Sequence, residues 1–259
     1  MQLYLIIFNT KKNKHKKFKS LQKTKTQIHK THTHTPTGSA FVSLEASSQN
    51  FCDISAIEQF KHLRYVDLSN NQIGQQVGDD ELNDCLESVA ECENILSLDV
   101  SNNGITDGKP FGDKDKFKLC MNLNAEHNQI GQGEPSGGFH LGMVNCRKAN
   151  FHGNCIGPIL GDTFHGHAKL EELNLQDNDL ETCDKIANMP NLKKLNLQDN
   201  WLADISGLDN LNNVTDLNLC NNELSNLDGV EKLVNLSKIN LAGNEFVGQV
   251  VEGPMDTQF

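Results

Sequence analysis

Apolar residues recur along this chain at fixed places within an eleven-residue frame. They occupy positions 1, 4, 6 and 11, and an asparagine stands at position 9. "LEELNLQDNDL" at 170–180 and "LKKLNLQDNWL" at 192–202 show the frame most clearly, sharing the hexapeptide "LNLQDN". Sliding it along the sequence gives starts near residues 41, 63, 95, 120, 146, 170, 192, 214 and 236. Position 9 reads Gln49 and then Asn71, Asn103, Asn128, Asn154, Asn178, Asn200, Asn222 and Asn244. A spacing that settles to 22 residues marks a stack of similar coils rather than a closed globule.

The alternation at positions 3–6 predicts a short strand in each coil, its inward side chains stacking against the coils on either side. A side-chain amide carries both donors and an acceptor, so the asparagine can tie the turn after the strand where no ladder reaches. Loss of one such residue is expected to strand buried backbone groups, at about 1–3 kcal/mol. This pattern resembles the leucine-rich repeat. The fold class it implies is an α/β solenoid, a horseshoe of about nine coils over residues 39–259, with a parallel sheet on the concave side.

The return half of each coil has its own spacing. Leu202, Ile205, Leu208 and Leu211 recur every third residue, as do Leu224, Leu227, Val230 and Leu233, and Phe51, Ile54, Ile57 and Phe60. A period of three predicts 3₁₀ turns or short helices on the convex side. Such coils resemble the compact intracellular class typified by protein phosphatase-1 regulators. The middle departs from the regular length. Within 74–94, Leu82, Leu86 and Val89 share one helical face behind a capping Asp79 or Asp80, predicting an α-helix. Residues 131–142, "GQGEPSGGFHLG", read as a mobile loop, and "CRKANF" from Cys146 is the poorest match to the frame.

Composition sharpens this. Hydrophobic content of 37% suits a fold with much surface per residue. Charge is split along the chain: residues 1–38 hold nine lysines and no acid, leaving 14 bases against 34 acids in the remainder, a net of −20. An acidic body excludes nucleic acid as its main partner. Residues 1–38, with "KKNKHKKFK" and "KTHTHTPTGS", read as a basic disordered tail, or as residues upstream of the true start codon. No run of 18 apolar residues is present, so no membrane span is expected. Eight scattered cysteines without a C-x-x-C pair are expected to be reduced, apolar fillers, as in a cytoplasmic protein.

No catalytic, cofactor-binding or metal-ligating constellation emerges, and the chain reads as a non-enzyme. His127 and His152 are expected on strands of adjacent coils as solvated polar residues, with no nucleophile beside them. On the concave face, position 3 runs Lys148, Glu172, Lys194, Asp216, Lys238, an alternating ladder with about 4.8 Å between neighbours. It reads as a register-fixing surface feature or as a charged docking strip. Position 5 runs Glu45, Asp67, Asp99 and then six asparagines, so acidity gathers at one end. Arg64 and Tyr65, with Asp67 and Asp99, complete the candidate concave contacts; Tyr65 is the one aromatic among them. Trp201 on the rim is either a cap over the next coil or a contact. After Phe246 no polar terminal cap is recognisable, so the chain is expected to be truncated there or its last coil covered by a partner.

One stretch is more specific than the frame. "FVSLEASSQNFCDISAIEQFKHLRYVDLSNNQI" at 41–73, through "VSLE" at 42–45, "DI" at 53–54 and "HLRYVDLSNN" at 62–71, resembles the opening repeats of the leucine-rich repeat-containing protein 23 family of ciliary radial-spoke proteins. Residues 74–169 and the C-terminus depart from that family's pattern. The resemblance implies a non-catalytic scaffold in the cilium or flagellum axoneme, with radial-spoke subunits as partners. The alternative is a dynein light-chain-like adaptor or a phosphatase-1 regulatory subunit.

Overall fold

The computed structural model describes residues 42–74, 85–132, 141–157, 167–184, 186 and 189–246, and two further strands through their backbone alone. Each coil contributes one three-residue strand: β2 Ser43–Glu45, β3 Tyr65–Asp67, β4 Ser97–Asp99, β5 Asn122–Asn124, β6 Lys148–Asn150, β7 Glu172–Asn174, β8 Lys194–Asn196, β9 Asp216–Asn218 and β10 Lys238–Asn240. These nine are parallel and pair in sequence order, with frame positions 3, 4 and 5 in register throughout. The weakly matching coil at Cys146 keeps that register, Lys148 facing Glu172.

Among the described residues the sheet has eleven strands, because both edges are extended. Strand β1, Gln27–His29, pairs antiparallel to β2, and β11, Asp256–Gln258, continues the parallel order beside β10. The last coil, expected to end in a truncation or under a partner, has its strand edge paired by backbone from further along the chain. The tail expected over 1–38 lies outside the described residues apart from β1.

The interior is one continuous column of Leu, Ile, Val and Phe, with position 4 and position 6 side chains buried in coil after coil. Coils four and five are irregular there. Ala125 and Ala149 stand where most coils carry larger aliphatics. Phe111, Phe117 and Phe151 cluster with centroids 5.8 and 6.3 Å from Phe111.

The asparagine spine is regular. In all eight coils that carry it, the Oδ1 atom accepts the backbone N–H of position 11 in the preceding coil, from Phe51 N to Asn71 at 3.0 Å through to Leu224 N to Asn244 at 3.0 Å. The Nδ2 group donates to the position 6 carbonyls of its own coil and of the one before; Asn200, for instance, reaches Leu175 O and Leu197 O, both at 3.0 Å. Seven of the eight are buried, and Asn244 at the end is partly covered. Each amide thus closes its own turn and clamps the preceding coil.

Position 8, just before the amide, carries a second periodic constraint. Ser48, Asn70, Asn102, His127, Gly153, Asp177, Asp199, Asn221 and Gly243 all take left-handed backbone, with φ between 52° and 72°. That region is costly for most L-residues and open to glycine and short polar side chains, which accounts for the residue types found. At Gly243 a Cβ would stand 2.1 Å from Asn221 Oδ1 of the neighbouring coil. His127 and His152 correct the sequence expectation here: they sit in this turn, after the strands, with ring centroids 4.5 Å apart.

The convex side is less helical than the period of three predicts. True 3₁₀ turns occur at Ser55–Gln59 and Val230–Lys232. Between them the same spacing yields a staircase in which each apolar residue donates to the carbonyl three before it, Leu208 to Ile205, Leu211 to Leu208 and Val214 to Leu211. The predicted helix is α1, Cys85–Ala90, with Leu86 and Val89 buried; Leu82, Asp79 and Asp80 lie outside the described residues, as does 133–140 of the glycine-rich loop. A second short helix, α2 at Lys109–Gly112, begins with a proline near its N-terminus and carries Phe111 into the core.

Candidate functional site

Strands of three residues, with position 4 turned inward, leave positions 3 and 5 as two parallel rows on the concave face. From coil five onward these rows frame a trough of about 650 Å³, lined by Lys148, Glu172, Lys194, Asp216 and Lys238 on one side and by the position 5 asparagines on the other. Its floor is the line of buried aliphatics beneath the sheet.

The charged row is cross-linked in two groups, one of three residues and one of two. Glu172 lies between Lys148 at 3.0 Å and Lys194 at 3.4 Å, and Lys238 reaches Asp216 at 3.6 Å. One position out, Glu171 is held between Arg147 at 2.9 Å and Lys193 at 3.2 Å. The Lys148 ammonium, then Lys194, hold the Glu172 carboxyl below its ordinary pKa, and Lys193 followed by Arg147 does the same for Glu171. These pairs are solvent-exposed and contribute little each to stability, on the order of 0.2–1 kcal/mol. Their larger effect is to hold the row in one arrangement.

The amide row is also organised. Asn150 Nδ2 donates to Glu126 Oε2 at 2.7 Å, Asn196 to Gln176 Oε1 at 3.0 Å and Asn218 to Gln198 Oε1 at 2.8 Å, each reaching back to position 7 of the preceding coil. The Oδ1 atoms meanwhile accept the backbone N–H two residues on, as from Gln176 to Asn174 at 3.1 Å. The trough wall is therefore a fixed array of amides and charges.

Arg64, Tyr65, Asp67 and Asp99 lie on coils two and three, outside the trough. Tyr65 is 53% exposed between the small residues Ser43 and Ser97 on the flanking strands. Trp201 is 58% exposed, so its ring stands in solvent on the rim rather than sealing the next coil. Among the described residues no group of three or more His, Cys, Asp or Glu side chains is placed to hold a metal, and no helix is long and apolar enough to cross a membrane. Seven described cysteines are free thiols, five of them buried. Burial pushes the Cys120 and Cys146 thiols up to about 12 and Cys92 to about 11, which leaves them protonated and weakly nucleophilic at neutral pH.

Sequence reasoning missed a second amide line on the opposite rim. Asn94, Asn145, Asn191, Asn213 and Asn235 each precede position 1 of their coils. Their Nδ2 groups donate to Lys61, Lys118, Ala168, Pro190 and Asn212 carbonyls in the coil before, at 2.5–2.8 Å. Leu119 interrupts the line in coil four, and Lys169 takes the place in coil six by reaching Asn145 Oδ1. The signal was present as an asparagine one residue ahead of five frames. Both ends of every strand in the regular coils are thus stapled to the preceding coil.

Comparison with known proteins agrees with this geometry. A family model described as "Leucine Rich repeats (2 copies)" matches residues 168–210, and one described as "Leucine Rich repeat" matches 61–75 and 91–108. No curated protein matches the chain in sequence. Among solved structures, internalin C2 of Listeria monocytogenes is similar with a TM-score of 0.61 and 21% identity, covering 78% of this chain and 80% of its own. The Toll–Spätzle complex of Drosophila gives 0.62 and 18%, covering 79% of this chain and 27% of that one. A second Listeria internalin gives 0.51 and 18%, and the chain spans 58% of that protein's length. Together with the amide-clamped coils and their parallel sheet, these matches show that the chain carries leucine-rich repeats and folds as a leucine-rich repeat solenoid.

Proposed function

We propose that this protein is a non-catalytic scaffold of the ciliary or flagellar axoneme, where it helps build or brace a radial spoke by holding another polypeptide in its concave trough. The observation that carries the scaffold reading is the trough itself. It is continuous over successive coils, lined by fixed amides and paired charges, and lacks a poised nucleophile or metal-binding set among the described residues. Toll, whose array is similar in fold, was solved in complex with Spätzle, so coils of this kind do engage proteins. The ciliary assignment is supported by the likeness of "HLRYVDLSNN" at 62–71 to radial-spoke repeats. The compact returns with 3₁₀ turns favour, as a second reading, a dynein light-chain-like adaptor or a phosphatase-1 regulatory subunit.

Fractionation of isolated cilia separates the two. The protein is expected to stay with detergent-extracted, salt-washed axonemes and to crosslink to radial-spoke subunits. Recovery in the soluble fraction with a phosphatase catalytic subunit would overturn the axonemal reading in favour of the second.

A further inference from the structure

The three lysines of the trough stand on alternate coils. Sheet register places Lys148, Lys194 and Lys238 two strands apart each time, with Glu172 and Asp216 between them. At about 4.8 Å per strand, lysine follows lysine at about 9.6 Å, and the run from Lys148 to Lys238 covers about 19 Å. An ammonium has three donors, and within the row each lysine spends only one of them. Lys148 reaches Glu172 at 3.0 Å, Lys194 reaches the same carboxylate at 3.4 Å, and Lys238 reaches Asp216 at 3.6 Å. All three side chains are more than half exposed. Three lysines against two acids leave the trough positive, in a body whose net charge over residues 39–259 is −20. Asp177 and Asp199 belong to the left-handed turns beyond the amide row and do not line it.

The amide wall has a gap in its pairing. Asn150, Asn196 and Asn218 find Glu126, Gln176 and Gln198 at position 7 of the coil before. For Asn174 that position is His152; its Oδ1 accepts from Gln176 N, and no described residue accepts from its Nδ2. One donor in the trough is therefore left for a ligand. The lysine spacing selects the ligand's shape. A β-strand presents one face every second residue, at about 6.8 Å, and misses that spacing by nearly 3 Å. An α-helix returns to one face every seventh residue, at about 10.5 Å, and drifts by about 2 Å over the run. Polyproline II returns every third residue, at about 9.3 Å, within a few tenths of an ångström of the lysines. Its carbonyls, which make no internal hydrogen bonds, are open to an amide donor.

We propose that the trough takes an extended, polyproline II-like segment of a partner that carries a carboxylate at every third residue. The carboxylates seat on Lys148, Lys194 and Lys238, and a backbone carbonyl accepts from Asn174 Nδ2. Glu172 and Asp216 between the lysines repel a carboxylate at any intermediate place, so the trough discriminates against an evenly acidic chain. Binding weakens with salt because the contacts are solvent-exposed. The inference rests on the reading that the trough holds a polypeptide, and adds which kind.

The test is fluorescence anisotropy of labelled peptides titrated with the full chain at low ionic strength. The probe is a peptide of three Glu-Ala-Pro repeats, whose glutamates fall at the lysine spacing. It is compared with a peptide of the same composition whose glutamates are contiguous, and with three Lys-Ala-Pro repeats. The probe is expected to bind several-fold tighter than either. That preference is expected to vanish in the double variant Lys148→Gln/Lys238→Gln, whose two exposed substitutions should leave the circular dichroism unchanged. Equal binding of the two glutamate peptides, lost in the double variant, would overturn the spacing while keeping the trough as a polypeptide site. Tighter binding of the lysine peptide, probe binding that the double variant leaves unchanged, or no binding of any peptide would each overturn the proposal. Axonemal retention is decided separately, by the fractionation above.

Discussion

Replacing Phe111 with alanine is expected to lower the unfolding free energy by about 3–5 kcal/mol, the usual cost of emptying a fully buried aromatic site. Phe111 has no exposed surface, and its ring lies against Phe117 and edge-on to Phe151. The site has little means of collapsing. Its ring neighbours Phe117 and Phe151 are themselves buried, and the strand that leads into Phe151 is held in register on both sides. A solenoid couples each coil to its neighbours alone, so a weak link in the middle should also separate early coils from late ones. Urea unfolding of Phe111→Ala is therefore expected to show a lower midpoint and a broader or split transition. Leu119→Ala, at a site 45% exposed, serves as the control and should stay within about 0.5 kcal/mol. Equal midpoints for the two variants would show that the rings do not carry the middle of the array.

The second large effect is expected at Asn200. Its side chain is 5% exposed, accepts from Leu180 N at 3.0 Å and donates to Leu175 O and Leu197 O at 3.0 Å and to Gln198 O at 3.2 Å. Alanine leaves a buried N–H and two buried carbonyls with no replacement, and water cannot reach them without opening the coil. The expected loss is about 3 kcal/mol. Lys194→Ala, six residues earlier on the exposed face, removes only a 3.4 Å contact to Glu172 and should cost no more than about 0.5 kcal/mol. Comparable denaturant midpoints for the two would count against the amide spine as a structural element.

What the sequence made legible follows from how often each constraint repeats. The buried amide and the inward aliphatics recur in almost every coil, so their spacing alone located the strands and the register, even at Lys148–Asn150 where the frame is weak. The left-handed position 8 recurs as well, but it accepts Asn, Asp, Gly, His or Ser, and a constraint on backbone shape shows only as a class of residues. This is why His127 looked like a strand residue. The rim line headed by Asn94 was hidden because leucine and lysine interrupt it. Helix α2 left no periodic trace: four residues are too few for a 3.6-residue pattern to appear. The concave rows could be read by position, including the alternating charges that the structure pairs at 3.0–3.6 Å. The back-reaching amide contacts, such as Asn196 to Gln176, could not, since they depend on the stagger between coils.

The central claim is that eight interior amides clamp successive coils into one rigid platform. Solvent exchange of side-chain amide protons, followed by NMR on uniformly labelled protein, tests it directly. The Nδ2 protons of Asn103, Asn128, Asn178, Asn200 and Asn222, all buried, are expected to exchange orders of magnitude more slowly than those of Asn191, which lies on the exposed rim. Exchange of both groups at one common, rapid rate would mean that the interior amides are open to water and that the coils are held together by something else.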